Sequence, residues 1–99
     1  MTLALPLRLR LDPHIRFRRF EDEGVVINQT TAEALVINEV ATRLLEIVDG
    51  SRTLEECVAL LGEEFDVDAE TLARDVLAFA GELVDAGLAA VVEKIEERR

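Results

Sequence analysis

Between Gly24 and Asn38 the chain carries two short aliphatic runs, Val25-Val26-Ile27 and Ala34-Leu35-Val36-Ile37, on either side of the polar stretch Asn28 to Glu33. That pattern predicts a β-hairpin. Its loop is longer than the tightest two-residue turns and holds no glycine, so register is expected to rest on side-chain alternation and on Asn28 and Thr30 bonding their own backbone. After Ile37 the period changes. Asn38 is a good N-cap residue, and Val40, Ala41, Leu44, Leu45 and Val48 then recur at helical spacing as far as Asp49-Gly50. Thr53-Leu54-Glu55-Glu56 has the form of a capping box opening a second helix, which runs to about Glu64 with Leu54, Cys57, Val58 and Leu61 inward. Asp68 caps a third helix over Ala69 to Ala86, closed by Gly87 in a position that favours left-handed backbone. Leu72, Val76, Phe79, Ala80 and Leu83 form its main stripe, and Ala73, Leu77 and Val84 widen it on one side. That flank either packs on the sheet or lines a groove for a ligand.

Upstream, Ile15-Arg16-Phe17 alternates apolar with basic and then slips phase at Arg18-Arg19 before Phe20, which predicts a half-buried strand with a bulge or bend. Glu21 to Gly24 reads as a polar turn. Three antiparallel strands, Ile15 to Phe20, Gly24 to Asn28 and Ala34 to Ile37, therefore precede the three helices, and the fold class is α+β. Residues 1–12 form an N-terminal arm in which Leu7, Leu9 and Leu11 alternate with Arg8 and Arg10. The arm suits strand pairing within the chain or across a homodimer. Residues 13–92 make up the domain, with Leu88 to Val92 as a last short strand, and residues 93–99 a charged tail.

Composition narrows the chemistry. Ninety-nine residues support one modest core. One cysteine and one histidine exclude an internal disulfide and a zinc site built from those residues alone. Without a glycine-rich phosphate loop either, no metal or cofactor is expected. Cys57 sits on the inward stripe of its helix and reads as a packed small hydrophobe. The many carboxylates fall on solvated helix faces, and His14 beside Pro13 reads as an exposed strand entrance, so an enzyme is disfavoured. The N-terminal stretch is neither a signal peptide nor a membrane span, which points to the cytoplasm and no membrane partner. Charge is uneven: residues 1–20 hold five arginines against Asp12 alone, while the whole chain stands at −10. The third helix has Arg74 against Glu70, Asp75, Glu82 and Asp85, which would repel phosphates. Nucleic acid is therefore not an expected partner, and a winged-helix DNA-binding regulator is the weaker alternative. A structural dimerisation module using the leucine-arginine arm is another.

The element order, the ALVIN entry into the first helix, the DGSRTLEE junction and DAETLARDVLAFAGELVDAGL together resemble PqqD-like proteins over about Pro13 to Leu88. The resemblance implies a winged-helix-like peptide-recognition domain serving ribosomally made, post-translationally modified peptides. Such a domain binds the leader segment of a precursor and presents it to a modifying enzyme, often a radical S-adenosylmethionine enzyme. It implies a leader paired with Ala34, Leu35, Val36 and Ile37 by β-strand addition, against a wall supplied by Leu72, Ala73, Val76, Leu77 and Val84. Ala34 and Leu35 stand where family members often carry aromatic residues, which implies a wider or shallower pocket.

Overall fold

The computed structural model describes residues 4–92, so the charged tail and the first three residues lie outside the described part. The elements follow in the order β1 (Arg8–Leu11), β2 (Ile15–Phe20), β3 (Glu23–Asn28), β4 (Glu33–Ile37), α1 (Glu39–Ile47), α2 (Leu54–Glu64), α3 (Ala69–Asp85) and β5 (Ala89–Val92). Strands β2, β3 and β4 form a three-stranded antiparallel meander, as the alternation predicts, followed by three helices. The arm pairs within the chain: β1 runs antiparallel to β5, with Arg8 opposite Val92 and Leu11 opposite Ala89. Leu9 is thereby carried into the core at 1% exposure.

The predicted bulge in β2 is absent. The register runs unbroken from Ile15 opposite Asn28 to Phe20 opposite Glu23. The phase slip arises because Arg19 occupies a core-side position without being apolar: its guanidinium donates to both Glu46 carboxylate oxygens on α1, at 2.8 and 3.0 Å. Phe20 then falls on the outer face, where it is exposed. The turn before β3 is also tighter than the polar run implies, since β3 already begins at Glu23 and Glu21 takes the left-handed backbone with φ 55°.

Gly24 fixes how closely the sheet meets α1. A Cβ there would stand 2.7 Å from Thr42 Oγ1 and 2.9 Å from Phe17 Cε1, so only glycine allows the approach. Thr42 is fully buried and satisfies its hydroxyl by donating to the Asn38 carbonyl at 2.7 Å. The helix ends follow the sequence signals. Asn38 Oδ1 accepts from the Ala41 amide at 2.9 Å, and both bonds of the Thr53/Glu56 capping box form, at 2.8 and 3.1 Å. Gly87 takes φ 77°.

Two apolar clusters result. One joins Leu9, Leu44, Leu54, Cys57, Leu61, Leu72 and neighbours from the helices and β1; the other joins Ile15, Val26, Ile37, Leu45, Leu83 and Ala89 beneath the meander. Cys57 is a packed side chain with no exposed surface, and burial pushes its thiol above the usual range. On the surface, Glu46 binds Arg19 of β2 and Arg43 of α1, and Arg43 reaches on to Glu64 of α2. The hydrogen bonds from Arg19 and Arg43 hold the Glu46 and Glu64 carboxyls, respectively, below their ordinary values. This chain of charges straps sheet to helices.

Candidate peptide-binding cleft

Strand β4 is an edge of the meander: β3 lies on one side and, among the described residues, no strand lies on the other. Which of its backbone groups are open follows from one hydrogen bond. The Gln29 amide donates to the His14 carbonyl at 3.0 Å, so in antiparallel alternation residues 25 and 27 exchange bonds with β2, and residues 24, 26 and 28 exchange them with β4. Their partners on β4 are Ile37, Leu35 and Glu33. The amides and carbonyls of Ala34 and Val36 therefore point away from the sheet, ready for another strand.

The loop leading into β4 sets this edge. Asn28 Oδ1 accepts from the amides of Thr30 (2.9 Å) and Thr31 (3.3 Å), while Thr31 Oγ1, in place of the expected Thr30, accepts from the Glu33 amide at 3.3 Å. Ala32 closes the loop at φ 64°. Alternation then divides the β4 side chains. Ile37 is buried in the sheet cluster and Leu35 lies on the same face but is 46% exposed, whereas Val36, at 63%, shares the outer face with Val25, Ile27 and Ala34.

Two hollows lie in line along one face of α3, the first of them beside this edge. The first, about 370 Å³, lies between Val26, Ala34 and Leu35 on the sheet and Ala86 and Leu88 after α3, with Asn28 and Glu33 at its rim. The second, about 210 Å³, lies where β4 runs into α1: Val40, Ala41 and Leu44 face Leu72, Val76 and Phe79, Val67 closes one side, and Asn38 and Asp75 are its polar groups. The large exposed apolar residues sort accordingly. Leu35 and Val67 line the hollows, while Phe20, Ile27 and Val36 lie elsewhere.

The residues proposed from sequence divide in this geometry. Ala34, Leu35, Leu72 and Val76 line the hollows, the last two as their buried floor. Val36 offers its backbone and not its side chain, and Ile37 is core. Ala73, Leu77 and Val84 line neither hollow; Leu77 and Val84 pack against the helical cluster that also contains Leu9 and Val91, and Val84 touches the sheet cluster too. The open flank of α3 is the opposite one, Asp75, Phe79 and Ala86. Sequence reasoning missed Phe79 as a wall because it lies on the stripe centre, and missed Asp75, Val40 and Val67. The i, i+4 spacing of Asp75 and Phe79, continued to Ala86, was a readable sign that Asp75 shares the apolar face.

Among the described residues no group of three or more His, Cys, Asp and Glu side chains is arranged to hold a metal ion, and no helix is long and apolar enough to cross a membrane. His14 Nε2 lies 2.9 Å from Asp12 Oδ1 and is exposed, away from either hollow.

Comparison with known proteins agrees with this architecture. The chain is 36% identical over 61 residues to a PqqA binding protein of Gluconobacter oxydans strain 621H, a match covering 62% of this chain and 64% of that protein. It is 30% identical over 83 residues to a PqqA binding protein of Rhizobium meliloti strain 1021, covering 84% of this chain and 76% of that one. In fold it resembles TbiB1, solved in complex with the TbiA(β) leader peptide (TM-score 0.72, 21% identity, 91% of this chain and 98% of that one). It likewise resembles a lasso peptide synthetase B1 complexed with its leader peptide (TM-score 0.73, 20% identity, 84% and 98%). At those identities the likeness shows the fold. Residues 23–89, spanning β3 through the start of β5, match the family described as coenzyme PQQ synthesis protein D, and the chain belongs to this PqqD family.

Proposed function

We propose that this protein is a non-catalytic peptide-binding domain that captures the leader segment of a ribosomally made precursor by adding it as a strand to β4, and delivers it to a modifying enzyme. The observation that carries the reading is the contrast between the sheet's two open edges. Edge β2 carries Arg16, Arg18 and Arg19, the charged guarding by which proteins discourage strand addition, and borders neither hollow. Edge β4 presents Ala34, Leu35 and Val36, uncharged and exposed, with outward amides beside an apolar cleft. Main-chain bonds to such an edge supply affinity without regard to sequence, and hollows for alternate side chains supply selectivity.

The curated relatives are PqqA binding proteins, and both similar folds were solved with a leader peptide, which supports the same reading. The partner enzyme is a radical S-adenosylmethionine enzyme on the family analogy. With its acidic α3 surface the chain repels nucleic acid. Amide-resolved hydrogen exchange with a PqqA-type precursor peptide tests the proposal. Added peptide should slow exchange at Ala34 and Val36 while leaving the β2 amides unchanged; unaltered exchange at those two positions rejects strand addition at β4.

A further inference from the structure

We propose that the hollow between α1 and α3 is a subsite for one long cationic side chain, lysine or arginine, of the bound peptide, and that Asp75 reads its charge. The inference rests on the peptide-binding reading above and assigns the hollow its ligand chemistry. At about 210 Å³ the hollow falls short of the roughly 300 Å³ at which small-molecule sites begin, so it suits a single side chain.

Its walls select the kind. Val40, Leu44, Val76 and Phe79 make an apolar channel matching a chain of methylene groups, and Val67, still 38% exposed at the mouth, gains cover when that channel fills. The polar groups then decide what the tip must be. Asn38 Oδ1 is already engaged by the Ala41 amide as the cap of α1, which leaves the Asp75 carboxylate as the open acceptor. No cation among the described residues is in contact with Asp75. A purely apolar side chain would fill the channel but strip water from that carboxylate without replacing it, and an acidic one would be repelled. A cation with a methylene stem satisfies both parts. Glu82 follows Asp75 two turns on along the same flank and adds a second carboxylate there, and the chain's net charge of −10 favours encounter with cationic peptides in general.

The test is selection from a phage-displayed library of random linear nonapeptides against the full chain and against Asp75→Asn and Asp75→Lys. The wild-type chain should enrich peptides with lysine or arginine at one fixed position. Asp75→Asn should lose that preference and bind a selected peptide about tenfold more weakly, as for a lost hydrogen bond to a charged group. Asp75→Lys should favour acidic residues at the same position. Peptides that protect the Ala34 and Val36 amides yet show no basic position, or that bind Asp75→Asn as tightly as the wild type, overturn the subsite and leave strand addition standing. Failure of every selected peptide to protect those amides overturns both.

Discussion

One flank of α3 carries Ala73, Leu77 and Val84, and the other carries Asp75, Phe79 and Ala86; judged by hydrophobicity alone, the first is the better pocket wall. The fold reverses that expectation. Leu77 and Val84 pack against the helical cluster to which β1 brings Leu9 and β5 brings Val91, whereas Asp75 and Phe79 border a hollow that faces α1, and Ala86 one that faces the edge strand β4. Apolar character on a helix flank marks what must be covered, and the chain covers it with its own ends. The flank left open is mixed, with the Asp75 carboxylate beside Phe79 and Ala86, as suits a surface that faces water.

The sharpest way to break this comparison is to uncover the closed flank. Leu9→Ala removes a fully buried side chain and should destabilise the fold by about 3 to 5 kcal/mol, read from urea or thermal melts. A loss below about 1 kcal/mol would mean that the ribbon does not cover α3 in solution. Leu77→Ala should cost about 2 kcal/mol, the low end for a half-buried leucine, with peptide affinity per folded molecule unchanged. Weakened binding at an unchanged melting temperature would return the binding wall to the Leu77 side. On the open side, Val36→Pro loses only an outward amide, so it should fold and bind peptide about tenfold more weakly, near 1.4 kcal/mol. Leu35→Pro is its control. That amide bonds to Val26 across the ladder, and its loss should unsettle the sheet itself.

The smallest effect concerns pH and the turn that seats β1. Asp49 Oδ1 accepts from the Ser51 and Arg52 amides at 2.9 and 3.1 Å, which pulls its pKa from 3.8 to about 2. The following residues hold the arm: Ser51 O accepts from Arg8 Nε at 2.9 Å, and Leu54 donates to the Leu7 carbonyl at 2.8 Å. A depressed carboxyl contributes stability that is fully present above 3.8 and is lost as pH falls through about 2. Asp49→Asn should flatten the acid limb of the stability profile in that window, and an unchanged limb would assign it to other carboxylates.

Much of the fold was legible because its signals are local. The caps at Asn38, Thr53 and Asp68, the glycine at Gly87 and the alternation of Val25 to Ile27 each depend on residues a few positions apart. The absent bulge in β2 and the fate of the α3 flank were not, and for one reason. Arg19 makes sense only once Glu46 is near, and Leu77 only once the helical cluster that takes in Leu9 is assembled, neither of which a local period encodes. The site was legible as a strand, since Ala34 and Leu35 border the cleft, but its far wall depends on how α1 and α3 cross, which put Asp75 and Phe79 opposite Val40.

The pairing of β1 with β5 has one more consequence, for how this domain can be joined to other proteins. Arg8 and Val92 stand opposite each other in the ribbon, so the first and last strands of the described residues lie side by side, with Leu5 and Leu7 running ahead of them along the start of α2. A partner enzyme tethered to either strand of this ribbon would hang from the same side of the fold, and short tethers of similar length would give it a similar effective concentration at the cleft. The same adjacency suits the domain to insertion in a loop of a larger protein, because its first and last strands are neighbours in one ribbon.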